Sequence, residues 1–134
     1  MEEEPTWVRP EVVLAIHQRQ IAEHGGDAGV RDPGLLESAL ARPRNLLAHG
    51  ESDPDLASLA AAYAFGIARN HPFVDGNKRT ALVVCRTFLA INGLDLTAAP
   101  QDKYVTFLGL AEGVLSEDQL TAWIRSHLAD RRGG

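Results

Sequence analysis

Residues 71–91 read HPFVDGNKRTALVVCRTFLAI, a crowded polar stretch that runs into a long apolar one. Pro72 disfavours helical geometry at His71, and Asp75-Gly76 reads as a turn. From about Asn77 the pattern is helical, closed by Asn92-Gly93. Ala81, Leu82, Val83, Val84, Cys85, Phe88, Leu89 and Ile91 would cover nearly the whole circumference, which predicts a buried central helix. The polar residues therefore stand where that helix begins. A first helical turn leaves backbone N–H groups without partners and carries about half a positive charge from the macrodipole. Gly76 would let a ligand approach the backbone, and Lys78 and Arg79 add two full charges. Glycine, helix start and cations together make an anion site, most naturally for phosphates. Asp75 would repel phosphate unless it holds Mg²⁺, which is commonly bound by one or two carboxylates plus phosphate oxygens. His71 is the residue type suited to take a proton from a hydroxyl. Asn77 can donate to a phosphate oxygen or cap the helix. These are the parts needed to move a group from a nucleotide to an alcohol. The stretch is not a P-loop, because no glycine lies five residues before Asn77 and Lys78 follows asparagine.

Outward from this stretch, the punctuation marks further helices. Pro10 precedes EVVLAIHQRQIAEH, which Gly25-Gly26 stop. Asp32-Pro33 is a cap followed by proline at the first helical position, and LLESALAR then breaks at Pro43. Asp53-Pro54 repeats the start signal ahead of the stripe Leu56, Leu59, Ala60, Tyr63 and Ile67. LDLT reads as a connector, and a helix is predicted from near Pro100 to Glu112. Ser116 and Gln119 form a capping box for a last helix striped by Leu120, Trp123, Ile124, His127 and Leu128. The expectation is an all-α fold of six helices without a strand, a single domain over 1–134 with residues 131–134 frayed.

The bulk properties exclude several classes. The chain has 134 residues, 45% of them hydrophobic and 23% charged, with one cysteine and a net charge of −5. No apolar run is long enough for a membrane span, and MEEEPTW lacks an apolar signal region, so a cytoplasmic location is expected. One cysteine excludes an internal disulfide and a Cys-rich zinc site. The acidic balance argues against direct nucleic-acid binding. Yet residues 69–86 hold Arg69, Lys78, Arg79 and Arg86 against Asp75 alone, so that window is +3 and the remainder −8. A local cationic spot on an acidic chain suits a small anion.

HPFVDGNKRTA resembles the Fic motif, H-P-F-x-[DE]-G-N-[GK]-R, and in detail the Doc (death on curing) branch of the Fic/Doc family, whose versions read N-K-R-T-A-L. GGDAGVRDPGLLESALARP and NHPFVDGNKRTALVVCRTFLAINGLDL are also typical of Doc-like proteins. The resemblance implies a Fic-type domain in which His71 takes the proton of a target hydroxyl and Asp75 binds Mg²⁺. Gly76, Asn77, Lys78 and Arg79 would hold phosphates, with Asn77 and Arg79 as side-chain contacts and Phe73 anchoring the loop. Most adenylyl-transferring members have glycine in place of Lys78 and arginine in place of Leu82. Doc-like toxins share both departures, which implies transfer of the γ-phosphate of ATP to a threonine, with elongation factor Tu as the expected target. Nucleotidyl transfer on the same site is the alternative, and an inactive antitoxin-binding module is the alternative of another class. Fic enzymes with an inhibitory [ST]-x-x-x-E-[GN] helix restrain themselves. Here the one E-[GN] pair is Glu112-Gly113, and Leu108 stands four residues before Glu112. An inhibitor in trans, an antitoxin of the Phd type, is therefore implied.

Other polar residues carry weaker expectations. Cys85 reads as core, and His24, His49 and His127 as structural. His17 reads as a satisfied histidine that could reach the loop, Arg31 and Asp32 as pairing or capping groups, and Arg69 as a helix C-terminal cation or a substrate contact. The segment RNLLAHGESD, residues 44–53, reads either as a flap for a target peptide or as a plain surface loop.

Overall fold

A computed structural model describes residues 4–50 and 53–131. Six helices make the fold: α1 (Pro10–His24), α2 (Pro33–His49), α3 (Leu56–Asn70), α4 (Asn77–Ile91), α5 (Pro100–Ala111) and α6 (Glu117–Arg125). Asp32-Pro33 and the Ser116–Gln119 box start helices as expected, whereas α3 begins on Asp55 and not on the expected Asp53-Pro54, which lies before the helix. Asp32 Oδ1 accepts the Leu35 N–H at 3.0 Å, and Asp55 Oδ1 accepts the Ser58 N–H at 2.9 Å. Ser116 and Gln119 exchange both bonds of a capping box.

The most enclosed helix is α3 rather than the expected α4. Residues Ala57, Leu59 to Ala64 and Gly66 to Ala68 are all buried, whereas α4 leaves Arg86 and Ile91 exposed and Leu82 and Val83 half-covered. Side-chain size explains the exchange. Ala60, Ala61, Ala62, Ala64 and Gly66 let neighbours approach from every side, and α3 packs on α2, α4, α5 and α6. The approach is closest at Gly66, where a Cβ would lie 3.0 Å from Ala39 Cα and 3.1 Å from its carbonyl oxygen. Because backbone cannot yield as a flexible side chain does, Gly66→Ala is expected to lower stability by about 1–3 kcal/mol, measured by chemical denaturation.

That contact also bears on Pro43, which was expected to end α2. The helix instead continues to His49, with Pro43 buried inside it. A proline withholds the N–H that would serve the carbonyl four residues back, here Ala39 O. That carbonyl lies against Gly66, and beyond the proline Leu46 and Leu47 pack on the core. Tertiary packing holds the helix together past the break. Residues Arg44–His49 are therefore helical, which removes most of the proposed flap; residues 51 and 52 of it lie outside the described residues.

Two short strands were not anticipated. Leu94–Leu96 (β1) and Leu128–Asp130 (β2) pair antiparallel, Leu94 with Asp130 and Leu96 with Leu128. The last helix thus stops at Arg125, and His127 and Leu128 leave its stripe for the turn and strand. Arg131, expected to be frayed, donates its N–H to Gly93 O and its guanidinium to Asp95, each at 3.0 Å. Residues 132–134 of that tail lie outside the described residues. One ladder of two three-residue strands does not change the all-α class.

Arg125 of α6 grips Asp55 at the start of α3 with bonds of 2.8 and 3.0 Å. Hydrogen bonding from Arg125 holds the Asp55 carboxyl well below the usual carboxylate range. A depressed carboxyl adds stability above its unfolded pKa of about 4, and loses it as pH falls toward the folded value. Both side chains are about half exposed (54% and 49%), so the contribution is about 1 kcal/mol or less after screening. Asp55→Asn, which retains a capping oxygen, should unfold at lower temperature than wild type at pH 7. The gap should shrink below about pH 4.

Candidate active site

The polar stretch forms the bend from α3 to α4. His71 ends α3 in the left-handed region, φ 51° and ψ 55°, with its N–H bonded to Ile67 O at 3.3 Å. Among the described residues it is the one non-glycine with positive φ. Such a backbone costs about 1–2 kcal/mol and persists where surroundings over-determine it.

Those surroundings come largely from the loop between α1 and α2. The Arg31 and Asp32 N–H groups both donate to Pro72 O, at 2.7 and 3.1 Å, and the Val74 N–H donates to Gly29 O at 3.1 Å. The Arg31 guanidinium reaches His71 O at 2.7 Å and Asn70 O at 2.9 Å. Asn70 Nδ2 donates to Leu35 O at 3.0 Å. Phe73 is fully buried and stacks on the His17 ring, centroids 3.8 Å apart and planes 8° from parallel. Its anchoring role follows from that packing.

Asn77 proves to be an inward-facing clamp. Its Oδ1 accepts the Phe73 N–H and its Nδ2 donates to Phe73 O, each at 2.9 Å. With the side-chain amide committed to Phe73, what Asn77 can offer an anion is its backbone N–H. Gly76 stands just before α4 with φ 78°, a conformation that favours glycine. A Cβ there would face α1, 3.2 Å from Ile21 Cδ1 and 3.7 Å from the His17 ring. Glycine is thus required by backbone hand and by packing on α1, rather than by ligand approach alone.

Asp75 is exposed and held at both ends. Its carbonyl oxygen lies 2.8 Å from His17 Nε2, so that nitrogen carries the proton and donates. Its Oδ2 accepts the Asp27 N–H at 2.8 Å. Gly26 allows this, since a Cβ there would come within 3.1 Å of Asp75 Cβ. Among the described residues no group of three or more His, Cys, Asp or Glu side chains could hold a metal ion. A divalent cation here would have one carboxylate and take its remaining ligands from phosphate and water. That donor set fits magnesium shared with a nucleotide.

The start of α4 has no side-chain cap and no acid in its first turn. Thr80 N–H is bonded to Gly76 O at 2.9 Å, inside the helix. Arg79 is exposed and makes no ion pair among the described residues. Lys78 is half-buried, with Nζ 4.8 Å from the centre of the Tyr104 ring on α5. An exposed imidazole, an exposed carboxylate and a cationic, uncapped helix start therefore share one bend. Arg69 stands apart: it lies over the Phe65 ring at 5.3 Å and beside Gly113, as a helix C-terminal cation packed on a neighbour. Burial pushes the Cys85 thiol up to about 12, so it is an inert core group.

A groove of about 850 Å³ lies at the opposite end of α3. The cations on its walls are already engaged, Arg42 with Glu117 and Arg125 with Asp55. The two helix starts that reach it, those of α3 and α6, are already capped by the side chains of Asp55 and Ser116.

Sequence reading underweighted His17, Arg31, Gly26 and Asp27, which build the walls of the bend. They meet it from 40 to 58 positions away along the chain, where no spacing rule reaches.

Comparison with known proteins identifies the family. A profile of the Fic/DOC family matches residues 7–89, which includes α1, the bracing loop and nearly all of α4. The chain is 35% identical over 118 residues to "Protein kinase doc" of Escherichia phage P1, covering 88% of this chain and 92% of that protein. It is 50% identical over 74 residues to "Toxin Doc" of Mycolicibacterium smegmatis (strain ATCC 700084 / mc(2)155), covering 55% of this chain and 57% of that one. No helix among the described residues is long and apolar enough to cross a membrane. From the reach of the profile and the near full-length match, the chain belongs to the Fic/DOC family, among its Doc toxins.

Proposed function

We propose that the bend transfers the γ-phosphate of ATP to a threonine hydroxyl of a protein, with elongation factor Tu as the expected target. Translation would stop as a result. The observation that carries the reading is the coincidence of an exposed, left-handed His71 with a cationic helix start that has no cap of its own. In the step, His71 takes the proton of the alcohol while the alcohol oxygen bonds to the γ-phosphorus. The bond from that phosphorus to the β–γ bridging oxygen breaks, and ADP leaves. The backbone N–H groups of Asn77 and Lys78, with the Lys78 and Arg79 side chains, face the charge on the phosphates. Asp75 would hold Mg²⁺, which supplies neutralisation of phosphate charge when bound.

Phosphate rather than nucleotide transfer is supported by Lys78 and Leu82, which replace the glycine and arginine of adenylyl-transferring relatives. It is supported further by the similarity to a protein described as a protein kinase. With no inhibitory motif before Glu112-Gly113, restraint is assigned to an antitoxin of the Phd type. The reading is tested by incubating the protein with elongation factor Tu, Mg²⁺ and ATP labelled at the α or the γ position. Label from the γ position on the target is expected. Label retained from the α position would replace phosphorylation by nucleotidyl transfer, and no label with undiminished growth arrest would point to a non-enzymatic toxin.

A further inference from the structure

We propose that Arg31 is a positioning residue for His71, setting the direction of the imidazole by holding the end of α3 in its left-handed bend. The proposal rests on the reading of His71 as the base. Its physical origin is the way α3 ends. A helix that ends in a left-handed residue ordinarily satisfies its last carbonyls with the N–H groups of the next residues. The residue after His71 is proline and has no N–H to give. Val74, whose N–H would serve Asn70 O if the helix went on, bonds Gly29 O instead, so the carbonyls of Asn70 and His71 at the negative end of α3 take a donor from elsewhere.

Arg31 supplies it from the loop between α1 and α2. Nε donates to His71 O at 2.7 Å and Nη2 to Asn70 O at 2.9 Å, a planar fork across consecutive carbonyls. Its own backbone N–H donates to Pro72 O at 2.7 Å, so the arginine grips the bend with main chain and side chain together. The isolated bridge between Val30 and Phe73 continues the same seam. The fork fixes the peptide units on both sides of the His71 Cα, and those units determine where the Cα–Cβ bond points. A lysine could neutralise the helix end but could not bond both carbonyls in one plane. Arg31 is exposed, so its removal opens no cavity in the core.

The test compares wild type with Arg31→Ala and Arg31→Lys by transfer kinetics and by NMR of His71. Arg31→Ala should lower kcat about 100-fold, the scale of misplacing a reacting group by about 1 Å, with KM for ATP unchanged. Arg31→Lys should recover part of that loss. The His71 Cα and Cβ resonances should move away from left-handed values in Arg31→Ala, while those of Leu120 and Ile124 in α6 stay in place and report an intact fold. Wild-type kcat in Arg31→Ala overturns the proposal. So does a fall in kcat with His71 resonances unmoved, because Arg31 would then act on the substrate directly. If wild type transfers neither phosphate nor nucleotide, yet His71 still shifts in Arg31→Ala, the functional reading fails and the positioning role stands.

Discussion

Replacing His71 should lower transfer by about 10²- to 10⁴-fold, the usual contribution of a positioned general base. The choice of replacement matters, because His71 sits at φ 51°. Alanine there removes the imidazole and also places a residue poorly suited to left-handed backbone. Asparagine visits that region readily and is no base. His71→Asn should therefore lose activity as His71→Ala does while unfolding at nearly the wild-type temperature, since the side chain is exposed and supports no core contact. The two variants separate chemistry from backbone strain. A His71→Asn protein that retains transfer within a few-fold of wild type would remove the base from the account.

Asn77→Ala is expected to have the largest effect on stability among the motif residues. The side chain satisfies both the N–H and the C=O of Phe73, in surroundings where Asn77 is 8% exposed and Phe73 fully buried. Leaving a buried polar group unpaired costs about 1–3 kcal/mol, so orphaning both should remove roughly 2–4 kcal/mol. At roughly 3–5 °C per kcal/mol for a chain of this size, the melting temperature should drop by about 6–20 °C. Activity should fall as well, because the same clamp ties the bend to the first turn of α4. Thermal unfolding and transfer assays on the same preparation check both. A melting temperature close to wild type would show that Phe73 finds other partners and that the clamp is dispensable.

Much of this was legible in the sequence, and the reasons are local. Pro10, Asp32-Pro33 and the Ser116–Gln119 box act within one helical turn, and each begins a helix where its chemistry predicts, while α3 starts on Asp55, two residues beyond the Asp53 that was expected to cap it. His71 and Asp75 stand out because Pro72 and Gly76 isolate them in one bend. The misread elements depend on partners far along the chain. Pro43 fails to end α2 because Gly66 lies against the carbonyl that it leaves without a helix partner. The stripe through His127 and Leu128 looks helical until Leu94–Leu96 claims Leu128 for a ladder. The enclosure of α3 rather than α4 follows from alanines, which a hydrophobic count ranks below leucine and valine although they allow closer packing. Asn77 was read as a phosphate contact, and its commitment to Phe73 could be seen only once the bend had closed.

In the proposed reaction, ATP phosphates meet the start of α4, within reach of the His71 imidazole. The most direct measurement is an NMR titration of the full chain with Mg²⁺ and a non-hydrolysable ATP analogue. Saturable shifts are expected, concentrated in the backbone amides of Gly76, Asn77 and Lys78 and in the His71 ring. Shifts gathered instead around Arg42, Asp55 and Arg125, in the groove at the far end of α3, would contradict it.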